Sequence, residues 1–256
     1  MPTPLIVFLR ALRRRAAPIV LAALVATGPA RADVSLTPHS AVYHVKIRIV
    51  SGRLDTELRW TGDRYVATHT IRPTGLSRML AHGFIQESSE FFESGDGIRP
   101  DRYRSIDTIS HDAENVDIRF DWSAGEAHGT VNDVPVSSSM DRVAHDRISI
   151  QYELMHDLLK YGKPDGEYVL FDIDRLKKLH VTMIGRRTLQ VPAGTFEAVG
   201  IRHQTENSKR VTTLWCVEEL GYLPVVIEQH RLGKLRVRAE LEEYRQAPAA
   251  AAVNSR

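Results

Sequence analysis

One cysteine, Cys216, is all the thiol chemistry in 256 residues. A single thiol forms no internal disulfide, so no covalent staple holds the fold. Its neighbours Leu214-Trp215-Cys216-Val217 read as a strand, and the thiol as a small buried hydrophobe. Beyond the N-terminal segment there is no long apolar run, and so no helix able to cross a bilayer of ~30 Å. No glycine-rich phosphate loop or dinucleotide fingerprint follows a strand-like segment, which leaves nucleotide cofactors without a seat. The 11 histidines are scattered singly. None forms a His-x-His or His-x-x-x-His pair that would place two ligands on one face, so neither a metal nor any other cofactor is expected.

What the N terminus does have is a leader. Arg10, Arg13, Arg14 and Arg15 precede an apolar run from Ala16 to Thr27, followed by Gly28-Pro29 and then Ala30-Arg31-Ala32. Basic stretch, short apolar stretch and small-x-small site are the parts of a secretory signal, expected to be cut after Ala32. The alternative is the same segment retained as an anchor. No cysteine near the cut invites lipoprotein processing, so the expected destination is a Gram-negative periplasm. One β-rich domain is expected over residues 33–245, with a small-residue tail over 246–256 that has nothing to bury. Five of the 34 Lys+Arg and none of the 32 Asp+Glu lie in the leader, which leaves 29 against 32. A high whole-chain pI therefore belongs to the leader, and nucleic-acid binding loses its compositional support.

Period-two alternation dominates the rest. Val116, Ile118, Phe120 and Trp122 share one face, with Asp117, Arg119 and Asp121 on the other; Leu235 to Leu241 and Tyr43 to Ile49 behave alike. Such segments are half-buried antiparallel strands. Turn residues such as Ser51-Gly52, Ser94-Gly95-Asp96-Gly97, Gly185 and Leu232-Gly233 separate them into sequential hairpins, about eleven strands in all. Two segments break the pattern. Gly75 to His82 reads as a short helix or lip carrying Leu76, Met79 and Leu80. In Arg147 to Tyr161, Ile148, Tyr152, Met155 and Leu159 recur at helical spacing, Asp146 stands where an N-cap belongs, and Gly162 ends the run. The expected fold is mainly β: a single curved antiparallel sheet, or half-open barrel, wrapped around that one central helix.

Two chemistries compete for the helix region. His145 or His156 would serve as a general base, oriented by Asp141, Asp146 or Asp157, with Ser149 as nucleophile. But Arg147-Ile148-Ser149-Ile150-Gln151 lacks the glycines of a nucleophile elbow, and capping accounts for Asp146 and Ser149. The other reading is apolar. A sheet curved around one helix leaves a gap along a rim, and Leu76, Met79, Leu80, Phe84, Tyr152 and Met155 would line it as a site for an acyl chain or other amphiphile.

The stretches "PHSAVYHV", "FFESGDGIRPDRY", "DRISIQYELMHDLL", "VPAGTFEAVGI" and "TLWCVEELGYLPVVIE" follow the order seen in domain of unknown function 3108, a family of exported Gram-negative proteins that the chain resembles from Ser40 to Tyr244. That resemblance implies a β-rich periplasmic protein and carries over no catalytic residues. The shape is also similar to half-barrel periplasmic lipoprotein carriers, a likeness of fold alone. The reading that results is a non-catalytic periplasmic binding protein for an amphiphile or an envelope partner. The alternatives are an envelope hydrolase built from the Asp141 to His156 cluster, and a scaffold using its sheet edge.

Overall fold

The computed structural model describes residues 35–109, 114–172 and 175–247; the expected leader and nearly all of the expected tail lie outside them. The first eight strands are β1 (His39–Ile47), β2 (Val50–Trp60), β3 (Tyr65–Pro73), β4 (Ile85–Ser94), β5 (Gly97–Asp107), β6 (Glu114–Asp121), β7 (Glu126–Val131) and β8 (Val134–Ser139). A two-residue strand β9 (Ala144–His145) and the helix α1 (Ser149–Tyr161) follow. The chain then returns through β10 (Glu167–Asp172), β11 (Arg175–Val191), β12 (Gly194–Thr205), β13 (Arg210–Val217), β14 (Leu223–Arg231) and β15 (Lys234–Gln246). β15 reaches one residue into the expected tail, because Gln246 pairs with His39.

All fifteen strands form one curved sheet in the order β8-β7-β6-β5-β4-β3-β2-β1-β15-β14-β13-β12-β11-β10-β9. Every neighbour is antiparallel except β9 on β10. The pattern is a meander cut open at one place: β1 and β15 pair in the middle, joining a wing β1–β8 to a wing β9–β15. β8 and β9 are consecutive in the chain yet stand at opposite edges, so the sheet stays unclosed between them, and the helix follows directly after β9.

Fifteen strands stand where about eleven were expected, the two-residue β9 among those with no pattern to read, and some turn signals fall inside strands rather than between them. Ser51 and Gly52 belong to β2, and the reversal before them uses Arg48, in the left-handed region at φ 58°. Gly185 sits at a register shift within the 17-residue β11. Bulges of this kind bend a strand and let it continue.

The helix is central, as expected: nine of its thirteen residues are buried, too many for a surface amphipath. It packs on β4 and β5. Asp146 begins it through side-chain bonds, since Oδ1 accepts the N–H groups of Ile148 and Ser149 at 2.8 Å each. Ser149 Oγ returns the favour by accepting the Asp146 N–H at 2.9 Å. This reciprocal arrangement is a capping box with the residue types exchanged. At the far end Gly162 takes φ 70° and donates its N–H to the Leu158 carbonyl at 3.0 Å, a turn that favours glycine. Between the caps, Tyr152 and Met155 fill the core, with the Tyr152 ring 5.2 Å from that of Phe91. Each such buried side chain contributes about 2–3 kcal/mol by removal from water.

Candidate functional site

β4 and the helix are joined residue by residue. Glu87, Ser89, Phe91 and Glu93 alternate along β4 and so share one face. Glu87 meets Arg147, Ser89 meets Asp146, Phe91 meets Tyr152 and Glu93 meets His156. Aromatic burial stands at the middle of this seam and charge toward its two ends. The Arg147 end opens into one cavity, and a second lies along another face of the helix toward its C terminus.

At the helix N-terminal end the cavity measures about 1140 Å³. Arg147 projects into its wall, with its guanidinium 2.9 Å from Glu114, 3.0 Å from Asp172 and 3.9 Å from Glu87. These three carboxylates come from β6, β10 and β4, so one side chain bridges the two wings beside the open seam. Phe120 and Phe171 cross the same gap ring to ring at 6.0 Å. Burial works against the charge of Arg147, but the surrounding carboxylates hold its pKa above the ordinary arginine value. Burial also raises Glu87, against the pull of the Tyr103 hydroxyl that donates to it at 2.5 Å. For Asp172, Lys177 and Arg147 outweigh the push of burial and hold it below the usual carboxylate range. Toward the mouth, Lys209, Arg210 and Arg231 line the wall. They make no ion pair with a described residue.

At the other end a smaller cavity of about 530 Å³ is lined by Glu153, Asp157, His145, Tyr168, Asp96 and eight further residues. Burial pushes Glu153 up to about 7 while its Oε2 accepts the Ile98 N–H at 2.6 Å. That approach requires Gly97, at φ 115°, because a Cβ there would lie 2.7 Å from the Glu153 carboxylate. Asp157 is raised by burial and accepts the Tyr168 hydroxyl at 2.5 Å. Burial presses His145 down to about 3, so its imidazole is neutral, and its Nδ1 has no partner among the described residues. His156, two turns along the helix, points away to Glu93 at 2.9 Å, and that carboxylate raises its pKa. Glu93 in turn accepts the Ser35 hydroxyl at 2.6 Å and the Leu36 N–H.

The residues expected from the sequence are dispersed. Of the hydrolase candidates, Ser149 is committed to the capping box, Asp146 is fully buried and bonded to Ser89, and the Asp141 side chain is 86% exposed. Among the described residues no hydroxyl bonds to either His145 or His156. The expected lip also divides. Leu76, Met79 and Leu80 are bare on the connection from β3 to β4, Phe84 is half-buried at its end, and Tyr152 and Met155 lie in the core. The two cavities include none of these six in their walls. The connection nevertheless leaves the sheet near Ile71 and returns at Ile85, and both of those residues line the larger cavity.

Of the charged residues that build the cavities, Glu87, Glu114 and Glu153 were not singled out by sequence reasoning, and Asp172 reads from the sequence as a solvated loop edge. One signal was available: in "IQESSEFFES" two glutamates share a strand face with Phe91, which must be inward.

A curved β-sheet of fifteen strands threaded by one helix, with a cavity at each helix end, is the class of protein this geometry defines. The chain belongs to the family described as Protein of unknown function (DUF3108), whose model matches residues 40–240. Among solved structures it is similar to a beta-barrel-like protein of domain of unknown function DUF1849 from Brucella abortus. That match has TM-score 0.57 and 12% identity, and covers 84% of this chain and 100% of the other. MucB (TM-score 0.35, 9% identity, 86% of this chain and 56% of that one) superposes too loosely to carry an argument. So does a Bacteroides fragilis protein with a YmcC-like fold (TM-score 0.32, 11% identity, 83% and 97%). No curated protein matches in sequence. Among the described residues no helix is long and apolar enough to cross a membrane, which says nothing about strands.

Proposed function

We propose that the chain is a non-catalytic periplasmic binding protein, a single domain left after leader cleavage at Ala32, which takes an amphiphile at the larger cavity. The observation that carries this reading is the pairing of a polar interior with an apolar border. The cavity holds Arg147 and its carboxylates inside and Lys209, Arg210 and Arg231 at the mouth, while Leu76, Met79 and Leu80 stand bare on the connection that frames it. A charged head fits the inside and an aliphatic part fits the lip; a whole acyl chain in so polar a cavity would leave Arg147 and its partners desolvated without compensation.

Native mass spectrometry of protein recovered from the periplasm tests this, with a bound lipid-sized mass expected. Added lysophosphatidylglycerol is expected to raise the Tm of the wild type and leave K209E/R231E unshifted. Empty protein, with no Tm shift from any lipid or detergent, would contradict the reading.

The free edge of β8 favours a second reading, an envelope protein that adds a strand there. Pro135 removes one donor from that edge.

A further inference from the structure

Among the described residues the five barest large hydrophobics are Ile49 at 87%, Leu76 at 83%, Met79 at 77%, Leu80 at 69% and Leu232 at 68%. All five stand on three turns at the helix N-terminal end: the β1–β2 turn, the β3–β4 connection and the β14–β15 turn. These turns touch. The Arg48 N–H donates to the Arg236 carbonyl, and the Thr74 N–H to the Ser51 carbonyl. The Ser51 N–H donates to Ser77 Oγ at 2.8 Å. Single exposed hydrophobics are ordinary, but the five most exposed gathered on adjoining turns mark a contact surface.

Charge says what the surface contacts. Residues 44–53, 72–84 and 230–236 hold Lys46, Arg48, Arg53, Arg72, Arg78, Arg231, Lys234 and Arg236, and not one Asp or Glu. At the chain's average of 32 acids in 256 residues, thirty residues would hold about four. Lys46, Arg48, Arg78, Arg231 and Lys234 make no ion pair with a described residue.

We infer that this rim docks on a bilayer surface rich in anionic phospholipid, with Ile49, Leu76, Met79, Leu80 and Leu232 entering the headgroup layer and the basic residues meeting phosphates. Aliphatic tips ringed by Lys and Arg are the chemistry of interfacial binding. Arg231 also lines the larger cavity, so docking presents the cavity mouth to the lipid. The inference stands whether or not that cavity takes an amphiphile, since the rim residues tested below are scored on vesicle binding alone.

Flotation with vesicles of phosphatidylethanolamine and phosphatidylglycerol, against vesicles of phosphatidylcholine, tests the inference. Two variants accompany the wild type: I49S/L76S/M79S/L80S/L232S and R48E/R78E/R231E/K234E. All nine positions are exposed, so both variants are expected to keep the wild-type Tm, and any retained leader contributes equally to all three proteins. The wild type is expected to float with phosphatidylglycerol vesicles and to be released by salt. Each variant is expected to lose about tenfold or more in binding, since each basic residue near such a surface is worth about fivefold. Three results would overturn the inference: a wild type that stays behind, variants that float like the wild type, or equal binding to phosphatidylcholine. Capture of a soluble protein by the rim, with no vesicle binding, would overturn it as well.

Discussion

The two ends of this sheet are built alike and charged oppositely. At the helix N-terminal end three neighbouring turns carry basic and bare aliphatic residues around a cavity centred on Arg147. At the other end the turns and adjoining strand ends carry Asp63, Asp96, Asp121, Glu126, Asp165, Glu218 and Glu219, and the cavity is centred on Glu153 and Asp157. The helix dipole does not explain the difference, because its positive pole already lies at the basic end, where it favours Glu87 and Glu114 rather than added cations. The proposed docking of the basic end on an anionic surface accounts for the asymmetry. In the interior, Arg147 joins the wings and is needed. Glu153 satisfies one backbone N–H but is held in burial that disfavours its charge.

Substitutions at the two centres should separate these roles. Arg147→Met leaves Glu87, Glu114 and Asp172 facing one another without their cation; urea unfolding should show a loss of about 3 kcal/mol. A change under about 1 kcal/mol would mean that the seam does not depend on Arg147. Asp146→Ala removes the acceptor for two helix N–H groups and the Ser89 hydroxyl, for an expected loss of about 2–3 kcal/mol in the same assay.

Glu153→Gln should act in the opposite direction and only at higher pH. The folded-state pKa of Glu153 is raised from 4.5 to about 7, so the native state holds a proton that the unfolded chain releases. Stability is complete below the lower value and falls as pH rises through this window. The amide keeps an acceptor for the Ile98 N–H. At pH 8 the variant is expected to exceed the wild type by about 2 kcal/mol, with little difference at pH 4.5. His145 works in the other sense: its value is lowered from 6.5 to about 3, so its stabilisation is present above 6.5 and lost as pH falls through that range. Identical pH–stability curves for wild type and Glu153→Gln would remove Glu153 from the account. Tyr168→Phe deletes the bond to Asp157 and the acceptor for the Asp165 N–H, and should cost about 1–2 kcal/mol. Serine at Leu76 or Ile49 should change stability by less than about 0.5 kcal/mol, since these side chains are already in water.

The sheet and its helix were legible because both rest on periodicity. Alternation in β1, β6 and β15 and the Ile148-Tyr152-Met155-Leu159 stripe are local patterns. Strand boundaries were less legible, because Gly52 and Gly185 carry turn chemistry at positions where the strand continues. The pairing of β9 with β10 was hidden, since two residues leave no pattern. The bare lip at Leu76, Met79 and Leu80 could be read from its spacing. Its separation from Tyr152 and Met155 could not, because burial of an apolar residue depends on which element faces it. The ion clusters escaped for a related reason: Glu87, Glu114, Arg147 and Asp172 come from four elements, and only the curvature of the sheet brings them together.

Hydrogen exchange of the protein on phosphatidylglycerol vesicles, compared with the free protein, tests the division between the two ends most directly. The account predicts added protection confined to residues 46–50, 74–82 and 231–235, with none at 61–64, 94–97 or 218–221. Protection at the acidic turns, or spread evenly over both ends, would contradict it.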